Sequence, residues 1–154
     1  MAKRCAILDD YQNVALKLAD WGAIRDRVDV TVFDKPFGSA AEVTDALQDF
    51  EIVCAMRERT PFPGNVLSAL PKLKLLLTSG MRNASFDLAT AKVRGITVCG
   101  TGTVGIPTAG LAIGLMLELT RKIGFENARM KAGESWQVTV GQDIEGKRLG
   151  IIGL

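Results

Sequence analysis

Two short segments carry residue types suited to holding a small anion. They are Met56-Arg-Glu-Arg-Thr60 and Thr78-Ser-Gly-Met-Arg-Asn83, and each follows an apolar run that reads as a strand. Arg57 can present two parallel N–H donors to a carboxylate, which is the arrangement a guanidinium favours. Backbone N–H groups around Gly80, Met81 and Arg82 can meet the same anion, because glycine keeps the approach clear. The plainer alternative is that Arg57 and Arg59 make surface ion pairs while Gly80 makes a turn.

Two further patterns suggest other chemistry. Gly100-Thr-Gly-Thr-Val-Gly105 has the G-x-G-x-x-G form of a phosphate-binding turn. That motif belongs in the first strand-to-helix turn of a dinucleotide fold, with an acidic residue closing a second strand about twenty residues on. Here that distance leads into a helix near Glu118, so the segment reads as a Gly-rich connection. Asp9-Asp10 ends the first strand, where a phosphoacceptor domain holds magnesium. Such a domain needs an aspartate at the end of its third strand, where this chain has Cys54-Ala-Met56, and a lysine after its fifth, where Gly100-Thr101 stands. The acidic pair therefore reads as polar strand-end residues capping the next helix.

The elements that must position these residues alternate regularly. Strands are expected at Arg4–Asp9, Val28–Asp34, Glu51–Met56, Leu73–Ser79 and Ile96–Gly100. Helical spacing of apolar residues marks Val14–Ile24 and Asn65–Leu70. Ser39 and Glu42 form a capping box that opens a helix running to about Leu47. Ser85 is the expected cap of a helix ending at Gly95. Strands separated by short helices imply a parallel sheet covered on both faces, here a flavodoxin-like doubly wound α/β sheet of five strands. From Pro107 to about Ala132 the pattern predicts one long helix, apolar nearly all round in its first half, and then a last strand at "RLGIIG".

Composition narrows the class. The chain has 154 residues, 47% hydrophobic and 23% charged, with a net charge of +2 and no histidine. The charge is small and scattered, which argues against a nucleic-acid surface. The longest apolar run is too short to span a bilayer, and the N-terminus lacks a signal peptide's apolar stretch, so the expected location is cytoplasmic. Cys5, Cys54 and Cys99 sit in strand-like runs without a C-x-x-C spacing and read as reduced core thiols. The missing histidine removes the commonest neutral-pH acid/base residue and metal ligand.

Taken in order, "LPKLKLLLTSGMRNASFDLATAKVRGITVCGT", a long helix and "GQDIEGKRLGIIGL" resemble the D-isomer-specific 2-hydroxyacid dehydrogenases of the phosphoglycerate, glycerate and glyoxylate type. The resemblance implies that residues 1–103 form a flavodoxin-like substrate-binding domain. Residues 104–154 would form an interdomain helix and the start of a truncated Rossmann domain. Gly153 would be the first glycine of the cofactor fingerprint, with NAD or NADP bound mainly by residues beyond Leu154. The family's catalytic histidine, its acidic partner and its arginine would also lie beyond Leu154, so these residues alone would be inactive and none is expected to be catalytic. Substrate contacts fall to Gly80, Met81 and Arg82, with Arg57 nearby. The implied partners are a small 2-hydroxy or 2-keto acid and a second copy of the chain, docked through the helix starting near Pro107. Two positions depart from the family pattern: Gly80-Met81-Arg82 is bulkier than the usual G-x-G step, and Gly110 stands where a glutamate is usual. The competing class is a non-enzymatic flavodoxin-like module that binds a small acid or a partner protein. The terminal "RLGIIGL" speaks against it, since a freestanding domain needs no strand of a second sheet.

Overall fold

The computed structural model describes residues 2–152, so Gly153 lies outside the described residues. The chain divides into two compact units, residues 1–103 and 104–154.

The first unit is built on five strands: β1 (Lys3–Ile7), β2 (Val28–Val32), β3 (Ile52–Ala55), β4 (Leu75–Thr78) and β5 (Thr97–Gly100). All neighbours pair in parallel, in the order β2-β1-β3-β4-β5. This is the flavodoxin-like order, in which the chain reverses its direction of travel between β1 and β3. Side chains alternate across a strand. Ala6, Leu8, Val53, Ala55 and Leu76 therefore share one face, and all are buried. Against them lie Val43 and Leu47 of α2 (Ala40–Leu47), Val66 and Leu67 of α3 (Gly64–Ser68) and Ala91 of α4 (Leu88–Val93). Phe62 and Phe86 close the layer edge-to-face, with ring centroids 5.6 Å apart. The expectation of two covered faces is not met to the same degree. On the opposite face Ile52, Cys54, Leu75 and Leu77 are only half-buried.

Local signals explain most element boundaries. Ser39 Oγ accepts from the Glu42 N–H at 3.2 Å as the expected capping box requires, but the Glu42 carboxylate accepts from the Gly38 N–H at 2.9 Å, one residue before the cap, instead of from Ser39. Helix α4 is capped by Asp87 and not by Ser85; Asp87 Oδ1 accepts from the Thr90 N–H at 3.0 Å. Ser85 instead donates both its N–H and its hydroxyl to Asn83 Oδ1. The first helix is also shorter than its apolar spacing implies. Only α1 (Ala15–Leu18) and a 3-10 turn at Gly22–Ile24 form, because Ala19 is extended and Asp20 takes the Gly22 N–H into a local turn.

In the second unit the expected single helix is two, α5 (Ile106–Arg121) and α6 (Ile123–Lys131). Lys122 adopts a left-handed backbone, φ 55°. Its N–H still reaches the Glu118 carbonyl, while the Glu118 carboxylate accepts from the Gly124 N–H at 2.7 Å. A side chain thus takes a helical donor's place, and the axis breaks. No strand forms at 148–152. A strand is defined by its ladder, and residues 104–152 supply no second strand to pair with it. Among the described residues no helix is long and apolar enough to cross a membrane.

Candidate functional site

The carboxyl ends of β1, β3, β4 and β5 bring the chemistry-bearing loops together, and Arg57 lies at their centre. Its backbone is left-handed, φ 54°, a conformation that costs a non-glycine residue about 1–2 kcal/mol. The loop after β4 holds it there from both sides. The Arg57 N–H donates to Ser79 Oγ at 3.2 Å, and Asn83 Nδ2 donates to the Arg57 carbonyl at 2.5 Å. Asn83 Nδ2 also lies 3.0 Å from the Thr78 hydroxyl, so one amide ties the end of β4 to the loop after β3.

The Arg57 side chain then lies across Gly80. A Cβ built on Gly80 would sit 2.4 Å from Arg57 Nη1, and Gly80 itself has φ +96°. Only glycine meets both conditions. None of the six ion pairs among the described residues uses Arg57, Arg59 or Arg82. Among the described residues Arg57 and Arg59 thus lack the ion pairs that the surface reading expects. Arg59 turns the other way: its Nη1 donates to the Asp9 carbonyl at 3.0 Å, and its guanidinium stacks 4.8 Å above the Tyr11 ring.

Gly80 does not offer its own N–H to a ligand. That group donates to Thr101 Oγ1 at 2.9 Å, and the Gly80 carbonyl accepts from the Thr101 N–H at 3.2 Å. Its contribution is space and a turn. Met81 and Arg82 are exposed, and their N–H groups have no hydrogen-bond partner among the described residues. Both line a cleft of about 530 Å³ bounded also by Asn83, Phe86, Val98 and Gly100. Arg57 does not line that cleft. The structure thus joins Arg57 to Gly80 and places Met81 and Arg82 on the adjoining wall.

The glycines of the G-x-G-x-x-G segment do not cradle a phosphate. A Cβ on Gly100 would fall 2.6 Å from the Gly80 carbonyl oxygen and 2.9 Å from Met81 Cα, so backbone already fills that space. Gly102 and Gly105 have no neighbouring atom within 4 Å of such a position. The first glycine of the motif therefore has no room for a phosphate beside it. Gly100 serves the site differently, by letting the Gly80–Met81 backbone close onto β5.

The acidic pair separates by role. Asp10 accepts from the Val14 and Ala15 N–H groups at 3.0 and 2.9 Å and so caps α1, as strand-end capping implies. Asp9 is only 2% exposed and has φ 60°. It accepts from the Tyr11 hydroxyl and the Thr60 hydroxyl, each at 2.9 Å. The Asp9 hydrogen bond pushes the Tyr11 phenol above its ordinary pKa. Asp9, Thr60, Tyr11 and Arg59 together fasten the loop that carries Arg57 to the end of β1. Sequence reading passed over this network, as it did Asn83 and Thr101. Asn83 was findable, since an asparagine accepting from the N–H two residues on makes a turn of its own. The partners of Asp9 and Thr101 lie 51 and 21 residues away and leave no local trace.

Residues 5–112 match the family described as D-isomer specific 2-hydroxyacid dehydrogenase, catalytic domain. The chain belongs to that family. It is 32% identical over 101 residues to a glyoxylate/hydroxypyruvate reductase of Arabidopsis thaliana, an alignment covering 62% of this chain and 31% of the relative. It is 30% identical over 135 residues to a D-3-phosphoglycerate dehydrogenase of Mycobacterium leprae, covering 86% of this chain and 25% of the relative. Among solved structures, a phosphoglycerate oxidoreductase of Vibrio cholerae superposes with a TM-score of 0.85 at 31% identity, over 95% of this chain and 47% of that one. The chain thus spans about a quarter to a third of these curated relatives and under half of the solved structure. The family's members are oxidoreductases, and the five-stranded parallel sheet is the one expected from sequence.

Proposed function

We propose that the chain is the substrate-binding portion of an oxidoreductase that uses NAD or NADP to exchange hydride with a D-2-hydroxy acid or 2-keto acid. Residues 1–103 are the substrate domain, and 104–154 the connecting helix and the start of the cofactor domain. Arg57 carries the reading. It is a guanidinium without an ion-pair partner among the described residues, held in a strained backbone and laid over a glycine, at the carboxyl ends of the strands where open α/β sheets bind ligands. A cation so placed is preorganised for a carboxylate and has no carboxylate partner among the described residues to displace.

This reading assigns each residue a part. Arg57 binds the substrate carboxylate. Gly80 gives the guanidinium its seat, the free N–H groups of Met81 and Arg82 supply further donors, and their side chains shape the wall that selects the substrate's tail. Proton transfer is not assigned to these 154 residues, which contain no histidine. Relatives named for glyoxylate, hydroxypyruvate and phosphoglycerate support short acids as the substrate class. Helix α5, with Leu111, Ile113, Leu115 and Leu119 all more than half exposed, is the surface proposed to meet a second copy of the chain.

The test is NADH- or NADPH-linked reduction of glyoxylate, hydroxypyruvate and their phosphorylated analogue by the intact protein, followed by absorbance. Turnover is expected with at least one, with Arg57→Gln raising KM far more than it lowers kcat. Binding of such acids without turnover by the intact protein would instead establish the non-enzymatic module. Light scattering should show a dimer; a monomer at micromolar concentration counts against the α5 surface.

A further inference from the structure

Cys5 on β1 and Cys54 on β3 bring their sulfurs to 3.9 Å. The strand register pairs Cys5 with Ile52 and Ile7 with Cys54, so the two thiols leave the same sheet face on a short diagonal. Neither belongs to the substrate site. On that shared face Cys5 is buried, with 2% exposure, whereas Cys54 is only half-buried. This burial divides the roles. Contact with Cys5 lowers the Cys54 pKa, and the same contact together with burial pushes the Cys5 thiol up. Cys54, the more accessible of the two, is therefore the nucleophile, and Cys5 the partner that needs no access to solvent.

We propose that Cys5 and Cys54 form a dithiol modification site that hydroperoxides convert to an intramolecular disulfide. The Cys54 thiolate attacks one peroxide oxygen, so an S–O bond forms, the O–O bond breaks and hydroxide leaves. The Cys5 sulfur then attacks Cys54 Sγ, forming the S–S bond and expelling a second hydroxide. In total two thiols lose two electrons, and hydrogen peroxide gains them to become two molecules of water. The sulfurs must close from 3.9 Å to about 2.05 Å, and because the two-residue diagonal sets the Cα atoms farther apart than a relaxed disulfide spans, β1 and β3 must shift locally as the bond forms. Backbone pairing opposes that shift, so the bridge forms under constraint and is readily reduced by thiols. Cys99 is exposed and has no such thiol neighbour among the described residues, so its oxidation leads elsewhere.

The experiment uses the intact protein carrying Cys99→Ser, exposed to one equivalent of hydrogen peroxide under native conditions. Free thiols are alkylated after denaturation, and intact mass and peptide mapping follow. The expected product is a peptide pair linked through Cys5 and Cys54, absent after dithiothreitol. Cys54→Ser should slow loss of the first thiol by about tenfold or more, because the thiolate is the reacting species. Cys5→Ser should leave a Cys54 sulfenic acid that dimedone traps. Serine is close in size to cysteine, and unchanged circular dichroism establishes that each variant is folded. Both cysteines remaining alkylatable would overturn the proposal. So would a linked pair that forms only in urea, or an oxidation rate that Cys54→Ser does not change.

Discussion

Gly80→Ala tests the seat of Arg57 most directly, because it adds one carbon at a position with two separate objections to it. The first is backbone strain. At φ +96° an L-residue is costly, and such residues are destabilised by about 1–3 kcal/mol. In a domain of this size each kcal/mol lowers Tm by roughly 4–8 °C. The second is the 2.4 Å approach to Arg57 Nη1, which the flexible guanidinium relieves only by leaving its place. Losing a charge-assisted hydrogen bond costs about 1.5–3 kcal/mol, so KM for the 2-keto acid should rise about 10- to 150-fold. The two objections separate in a double-mutant cycle with Arg57→Gln. On that background Gly80→Ala should still lower Tm, since the strain remains. It should no longer raise KM, since the displaced group is gone. Steady-state kinetics and thermal unfolding of the four proteins are the assay. An equal rise in KM on both backgrounds, or none on either, would refute the claim that Gly80 exists to seat Arg57.

Gly100→Ala meets backbone rather than a movable side chain, 2.6 Å from the Gly80 carbonyl oxygen, so it should displace the β4 loop and weaken both Tm and substrate binding. A wild-type KM would show that the loop tolerates the shift. Asp9→Ala removes the acceptor for the Tyr11 and Thr60 hydroxyls in a buried place and should cost about 2–4 kcal/mol in urea unfolding. Thr60→Val, which loses one of those bonds, should cost less than Asp9→Ala; the reverse order would contradict the network. Acid should destabilise the protein through Asp87 and Glu126. Hydrogen bonds from the Thr90 N–H and hydroxyl hold Asp87 below the ordinary carboxylate range, and the Thr139 hydroxyl and backbone N–H groups hold Glu126 below it. A depressed folded-state pKa contributes stability in full above the unfolded value of about 4 and loses it as pH falls through the folded one. Asp87→Asn should therefore flatten the loss of stability below that pH, and an unchanged slope in thermal unfolding would count against it.

What sequence alone determined was local or periodic. Five apolar runs separated by helical spacing imply the parallel sheet, since burial on strands and helices imposes its own period on the chain. The capping box at Ser39 and Glu42 was legible because both partners lie within one turn. So was the pair of loops after β3 and β4, because strand ends in this topology point to one edge. Tertiary structure decided what depends on partners distant in sequence. The left-handed backbone of Arg57 is held by Ser79 and Asn83, and the Gly80 N–H, which looked free for a ligand, is taken by Thr101. The break at Lys122 needed the Glu118 carboxylate to reach Gly124, and Cys99 proved exposed although its run reads as core. Cys5 and Cys54, 49 residues apart and unremarkable in their strands, became neighbours only when β1 and β3 paired. Periodicity specifies which face a residue takes, but not which residue the register sets beside it.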